Sequence, residues 1–432
     1  MYDKISNLFE NLWPLNRSLT GQDNLKTLEI INSVIDLQIK YIASGTNVYD
    51  WIIPDEWNVN DAYVADSDGN KVIDFKLNNL HLMGYSEPVN QKVELKDLKE
   101  HLYTLPEFPT AIPYITSYYE KRWGFCLSYN QYLNLKNDIY TVFVDSSFNS
   151  KGKLVYATSE IKGASKKKIF FSTYICHPSM ANNEISGMIV STYLCKYILE
   201  KKKLKFSYLF SFAPETIGAL VILNEFEKDL LENLVAGYVV TCVGDSGDFT
   251  YKKSRDDESY VNKISKHVLK HLAKNRHKIE DFIPMGSDER QYCSPGFNLP
   301  VGSLMRTMYG NYPEYHTSLD NKDFISFAAI EETINIYIKI IECIEFDGIY
   351  LNTSPYGEPQ LGKRGLYPTV GLRSEKAFQL KAILYLLNFS DGRHTLLDIA
   401  EKLGCFILDL EKPLNHLLKA ELLKEKKDIY ET

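Results

Sequence analysis

The chain has 432 residues, 44% of them hydrophobic and 24% charged, with a formal net charge of -7 at pH 7. That length is too great for a typical single core and predicts two or three domains. The acidic balance argues against general affinity for nucleic acid or anionic membranes, and no run reaches the ~18 apolar residues of a membrane span. The seven cysteines (Cys126, Cys176, Cys195, Cys242, Cys293, Cys343 and Cys405) are scattered and lack a CxxC pair, as in a reducing compartment. The first residues show no basic stretch leading into an apolar run, so no secretory signal is expected and the expected location is cytoplasmic.

Residues 1–40 read as helical with a break near Pro14, Leu25, Leu28, Ile31 and Ile35 forming an apolar stripe. Residues 45–127 change to period two, and Asp68-Gly69 between two alternating runs predicts a hairpin. This stretch is expected to be a small β-rich insertion. From about 138 the pattern becomes α/β. Strands are predicted at 139–145, 153–158, 168–174, 206–213, 236–243 and 299–304, with helices at 187–200, 258–274 and 323–345. Several of these strands are continuously apolar, as in a parallel or mixed sheet covered on both faces. Residues 351–374 are dense in Gly and Pro and read as a linker. Residues 375–432 follow with three helices and a wing, a winged-helix-like unit. That unit holds nine Lys plus Arg and ten Asp plus Glu, so packing, a homo-oligomer contact or partner binding is expected there rather than DNA binding.

Four polar clusters flank the buried strands. His177 follows strand 168–174 and leads into Asn182-Asn183-Glu184-Ile185-Ser186-Gly187. Glu215 follows strand 206–213. Ser287-Asp288 precedes strand 299–304, and Tyr315-His316-Thr317-Ser318 comes after it. Each has a plain structural explanation on its own. Four polar loops following or preceding buried strands in one α/β domain are a much rarer coincidence, and ligand sites in such sheets sit beyond the strands' carboxyl ends. Cys176 adjoins His177, but the two cannot form a dyad if both are extended, because neighbouring strand residues point to opposite faces. Cys176 and Cys293 are expected to be buried, inert thiols.

The order of these residues, with the phrases PLNRSLTG, RWGFCLS, ICHPSMANNEISG, APETIGA, GSDERQYCSPGFNLPVGSLMRT and YHTSLDN, resembles the zinc-dependent aminopeptidase clan. More closely, it resembles a bacterial family with an aminopeptidase-like domain, a small inserted domain and a C-terminal winged helix, often found in surface-polysaccharide gene clusters. The resemblance implies an aminopeptidase-like domain over 1–44 and 128–350. His177 and His316 match the first and last histidines of the clan's di-zinc site. Its bridging Asp falls at Asn183, the second of its paired acids at Thr216 and its later Asp near Thr241. With so few carboxylates to offset two cations, one zinc per chain is expected. Its ligands would be His177, His316 and Glu184, with Asp245 in reserve, and Glu215 would be the catalytic base. Asp288, Arg306, Tyr309 and Tyr315 are the expected substrate-binding residues. The expected activity is hydrolysis of an amide, on a short peptide or an amide-bearing sugar. A non-catalytic binding or scaffold protein on a decayed peptidase fold is the alternative, and a DNA-binding regulator is a third reading.

Overall fold

The computed structural model describes residues 2–118, 120–366 and 375–426. Its centre is an eight-stranded mixed sheet, ordered 38–43, 153–161, 207–213, 168–174, 234–239, 301–305, 249–252 and 277–280. The four middle strands, from 207–213 to 301–305, run parallel to one another. Side-chain alternation divides the core in two. Phe171, Phe210 and Tyr238 pack with the helices Tyr2–Leu12, Gln22–Asn32, Ser186–Leu199, Tyr260–Leu272 and Phe327–Phe346 on one face. Phe170, Leu209 and Val239 pack with the helix Ile217–Asn233 and with the inserted sheet on the other. Covering on both faces explains why these strands read as unbroken apolar runs. The helix Ile217–Asn233 has no counterpart in the sequence reading. The N-terminal stretch is two helices followed by the edge strand Gln38–Ala43, so the expected helical character stops short of residue 38.

The insertion forms a four-stranded antiparallel sheet ordered 71–74, 56–65, 139–149 and 89–94. The hairpin at Asp68-Gly69 joins Glu56–Ala65 to Lys71–Asp74. Strand Ile139–Asn149, expected in the main sheet, pairs only with insertion strands. The insertion therefore extends past 127 to about the turn at 149–153. Strand Ile349–Asn352 pairs with Asp391–Thr395 and Leu423–Glu425, so it belongs to the winged-helix unit and not to the expected linker. The helices Glu375–Phe389, Leu396–Leu403 and Glu411–Lys419 complete that unit. Residues 367–374 of the expected linker and the charged end beyond 426 lie outside the described residues. No helix among the described residues is long and apolar enough to cross a membrane.

The winged-helix unit is tied to the main domain through polar groups. His267 Nδ1 lies 2.5 Å from Glu401 Oε1, and its Nε2 accepts the Ile407 N–H. Asp347 accepts hydrogen bonds from the Gly348 and Leu397 N–H groups and the Tyr260 hydroxyl. Burial outweighs those bonds and raises the Asp347 carboxyl from its ordinary 3.8 to about 6. Because the folded-state value is raised, the stability linked to this group is complete below its unfolded value and is lost as pH rises through about 6. Relative to Asp347→Asn, the wild type should therefore lose on the order of 2–3 kcal/mol between pH 4 and pH 7. Urea unfolding of both proteins across that range checks this, and a constant difference would refute it.

Candidate functional site

The site lies beyond the carboxyl ends of the parallel strands. After Tyr174 the chain leaves the sheet through Cys176 and His177, then enters a single π-helical turn, Ala181–Ile185, which runs directly into the helix Ser186–Leu199. Asp320 fixes this turn by accepting the Asn182 and Asn183 N–H groups. Gly187 is required where the helix passes under the sheet, since a Cβ there would stand 2.3 Å from the Val240 carbonyl oxygen. π-turns are rare and recur at functional sites. Among the described residues ten non-glycine residues have positive φ, and four of them (Ser179, Thr216, Cys242 and His316) lie on the loops around His177. Such strain concentrates at sites held in place by their surroundings.

His177 and His316 come together, their ring centres 5.1 Å apart. Glu215 Oε2 stands 3.8 Å from His177 Nε2. Tyr315 stacks on His316 at 3.9 Å. Tyr114, carried in from the insertion, packs 5.1 Å from His177 and 5.2 Å from His316. Its backbone N–H donates to the His316 carbonyl, and Ser318 exchanges hydrogen bonds with Ile112 beside it. The insertion therefore builds one wall of the site.

Glu184 is placed differently from the expectation. Its Oε2 accepts from the Cys176 and His177 N–H groups at 2.8 and 2.5 Å and lies 2.7 Å from His177 Nδ1. Its Oε1 accepts from Arg17 Nε at 2.8 Å, with both side chains fully buried. A carboxylate so engaged on the Nδ1 side orients the imidazole and does not ligate an ion at Nε2. Cys176, His177 and Glu184 do cluster closely enough to suggest a metal group, but the hydrogen bond at Nδ1 already fills the space between them. The reserve ligand Asp245 is engaged as well, accepting from Gly247, Thr307 and Asn182. Burial lowers the pKa of His177, yet the Glu184 hydrogen bond and charge, with Glu215 behind them, hold it above its ordinary value. Burial and the neighbouring His177 push His316 well below its own.

Two expected substrate contacts are corrected. Arg306 is fully buried and donates to Thr333, Gly247, Ala329 and Glu332. The Tyr309 hydroxyl lies within a buried Lys252–Glu289 ion pair. Both are internal struts held by buried partners. Asp288 accepts the Thr216 N–H. Burial and the adjacent Glu215 raise its carboxyl well above the ordinary range, which suits an anchor for the Glu215 turn better than a partner for a substrate amine. Arg290, which had no assigned role, donates to Thr216 Oγ1 at 2.6 Å and sets a guanidinium beside Glu215. Cys176 Sγ lies 3.5 Å from His177 Nδ1, because both residues stand past the strand's end and are no longer extended. Burial, with the charges of Glu184 and Glu215, raises its thiol well above 9, so the thiolate that a nucleophile requires is disfavoured.

The mixed sheet, flanked by helices on both faces, has an aminopeptidase-like fold. Solved structures agree. A zinc aminopeptidase from Bacillus subtilis superposes with TM-score 0.57 at 12% identity, covering 79% of this chain and 93% of that one. A peptidase M28 precursor from Shewanella amazonensis superposes with TM-score 0.56 at 11% identity, covering 79% and 91%. The chain belongs to the family described as "Domain of unknown function (DUF4910)", matched over residues 6–347, and a "winged helix-turn-helix" family follows over 348–425. A Clostridium acetobutylicum protein, provisionally named a polysaccharide biosynthesis protein with an aminopeptidase-like domain, is 46% identical over 98% of this chain and 96% of its own length. A crystal structure from the same organism, provisionally named a peptidase, superposes with TM-score 0.92 at 44% identity, covering 98% and 96%.

Proposed function

We propose that the chain is a one-metal amide hydrolase centred on His177, His316 and Glu215. The observation that carries this reading is a pair of adjacent imidazoles with free nitrogens. Glu184 occupies His177 Nδ1 and leaves Nε2 facing Glu215. His316 Nε2 is buried with no hydrogen-bond partner among the described residues, a state that a bound ion would relieve. Two imidazoles suit zinc, and ring centres 5.1 Å apart are compatible with nitrogens about 3.4 Å apart on a single tetrahedral ion. The ion, when bound, lowers the pKa of its water and polarises a carbonyl. Glu215 takes a proton from the attacking water and delivers it to the leaving nitrogen. Burial raises its carboxyl against the pull of His177 and Arg290, bringing it nearer the working pH of a base. Tyr114, Tyr174 and Tyr315 shield the centre from bulk water. Burial keeps their hydroxyls protonated, so they serve as neutral hydrogen-bond donors.

A non-catalytic binding protein on this fold is the second reading. It is favoured by the engagement of both Glu184 and Asp245 in internal bonds, which leaves few carboxylates for a metal. Metal analysis of protein equilibrated with zinc separates the two. The hydrolase reading expects about one zinc per chain, lost in both His177→Ala and His316→Ala, with release of amine from aminoacyl anilides or N-acyl hexosamines. Wild-type protein that takes up no zinc would establish the second reading.

A further inference from the structure

Beside the two histidine loops lies a cleft of about 700 Å³, which takes in Ser179 and Ser318, each two residues beyond a site histidine. We propose that this cleft holds a neutral, polyhydroxylated saccharide portion of the substrate. The assignment of that portion to a substrate rests on the hydrolase reading, whereas saccharide binding itself does not.

The lining is the argument. Six of its twenty residues carry carboxamides: Asn16, Gln22, Asn58, Asn60, Asn78 and Asn79. A carboxamide offers a donor and an acceptor within one group, which matches hydroxyls that also do both. Among the described residues the side chains of Asn16 and Gln22 have no hydrogen-bond partner, and Asn79 Oδ1 is buried without one. The Trp13 and Phe75 rings, both partly exposed, supply apolar faces of the kind on which the C–H face of a sugar packs.

Charge narrows the ligand further. The charged lining residues are Asp23, Lys26 and Lys76. Lys26 pairs with Asp23 at 2.8 Å, and Lys76 pairs with Asp61 at 3.3 Å. Among the described lining residues no lysine is left unpaired, so a neutral ligand is better matched than a phosphate or a uronate. A peptide is the other amide-rich ligand to weigh. Strand residues 57–60 line one wall and offer a peptide an edge that Lys71–Asp74 leaves uncovered, but six carboxamides and three serines, Ser147, Ser179 and Ser318, match a hydroxyl-rich ligand better than the alternating side chains of a strand-paired peptide. The volume lies within the ordinary range for small-molecule sites and accommodates a few sugar rings.

Calorimetric and saturation-transfer NMR titration of the full chain with chitotetraose, maltotetraose and mannotetraose tests this. At least one is expected to bind saturably below about 10 mM. Asn16→Ala/Gln22→Ala should weaken that binding at least about tenfold while leaving zinc content and thermal midpoint unchanged. No saturable binding, binding indifferent to the double variant, or tighter binding of tetra-alanine or a galacturonate oligomer would each overturn the proposal. Repeating the titration on chelator-treated protein separates the two readings. Saccharide binding without zinc uptake retains the cleft and sinks the hydrolase. Zinc uptake without saccharide binding does the reverse.

Discussion

Arg17→Ala should lower the free energy of unfolding by about 3–5 kcal/mol, the range for removing one partner of a buried ion pair. Arg17 and Glu184 both have fully buried side chains. Without the guanidinium, Glu184 keeps three N–H contacts but loses its counter-charge, and an unpaired buried charge is costly. Arg17 Nε also donates to the His177 carbonyl at 3.1 Å and Nη1 to the Leu12 carbonyl at 2.6 Å, so the N-terminal helix loosens together with the histidine. Zinc affinity should fall too, since Glu184 sets the His177 ring, and loss of such an orienting partner typically weakens a metal site by about 10–100-fold. Arg17→Met with Glu184→Gln should be more stable than Arg17→Ala, because no isolated charge remains. Urea unfolding and zinc titration measure both effects. A loss no larger than the roughly 0–1 kcal/mol of an exposed pair would show that water reaches Glu184.

Glu215→Gln should reduce turnover of any amide the wild type cleaves by about 10²–10⁴-fold, the usual contribution of a positioned acid or base. The substitution keeps shape and removes proton affinity. Zinc content should be unchanged, because the two histidines hold the ion. Glu215→Asp should retain some activity, with the carboxylate drawn back by one methylene. Steady-state kinetics beside metal analysis reads the two effects separately. Turnover preserved in Glu215→Gln would remove Glu215 from the mechanism, and loss of zinc along with turnover would make it a ligand instead.

Most of the sheet was legible because its central strands are buried on both faces and so read as continuous apolar runs, 168–174 being the clearest. Strand Ile139–Asn149 was visible as a strand but not as a member of the inserted sheet. Its alternation records one wet face and says nothing of which neighbours it pairs with. Ile349–Asn352 was lost among the glycines and prolines around it. At the candidate site, position after a buried strand pointed to His177 and Glu215, and the resemblance matched His316. What could not be read was how each polar group is satisfied. Glu184, Arg306 and Tyr309 look the same in sequence whether they face a ligand or a buried partner. Arg17 meets Glu184 across 167 residues, and no local spacing records such a contact. Its phrase, PLNRSLTG, carried the resemblance but gave Arg17 no role.

The candidate centre is also assembled from distant parts of the chain. Arg17 arrives from the first helical segment, Tyr114 from the insertion, His177 from the middle of the sheet and His316 from near its end. The Ile112–Ser318 contact alone spans 206 residues. Contacts of such separation cost loop-closure entropy before they stabilise the chain. A nascent or partly unfolded chain therefore has no paired histidines and no oriented His177. Zinc uptake at this candidate centre would thus report complete folding.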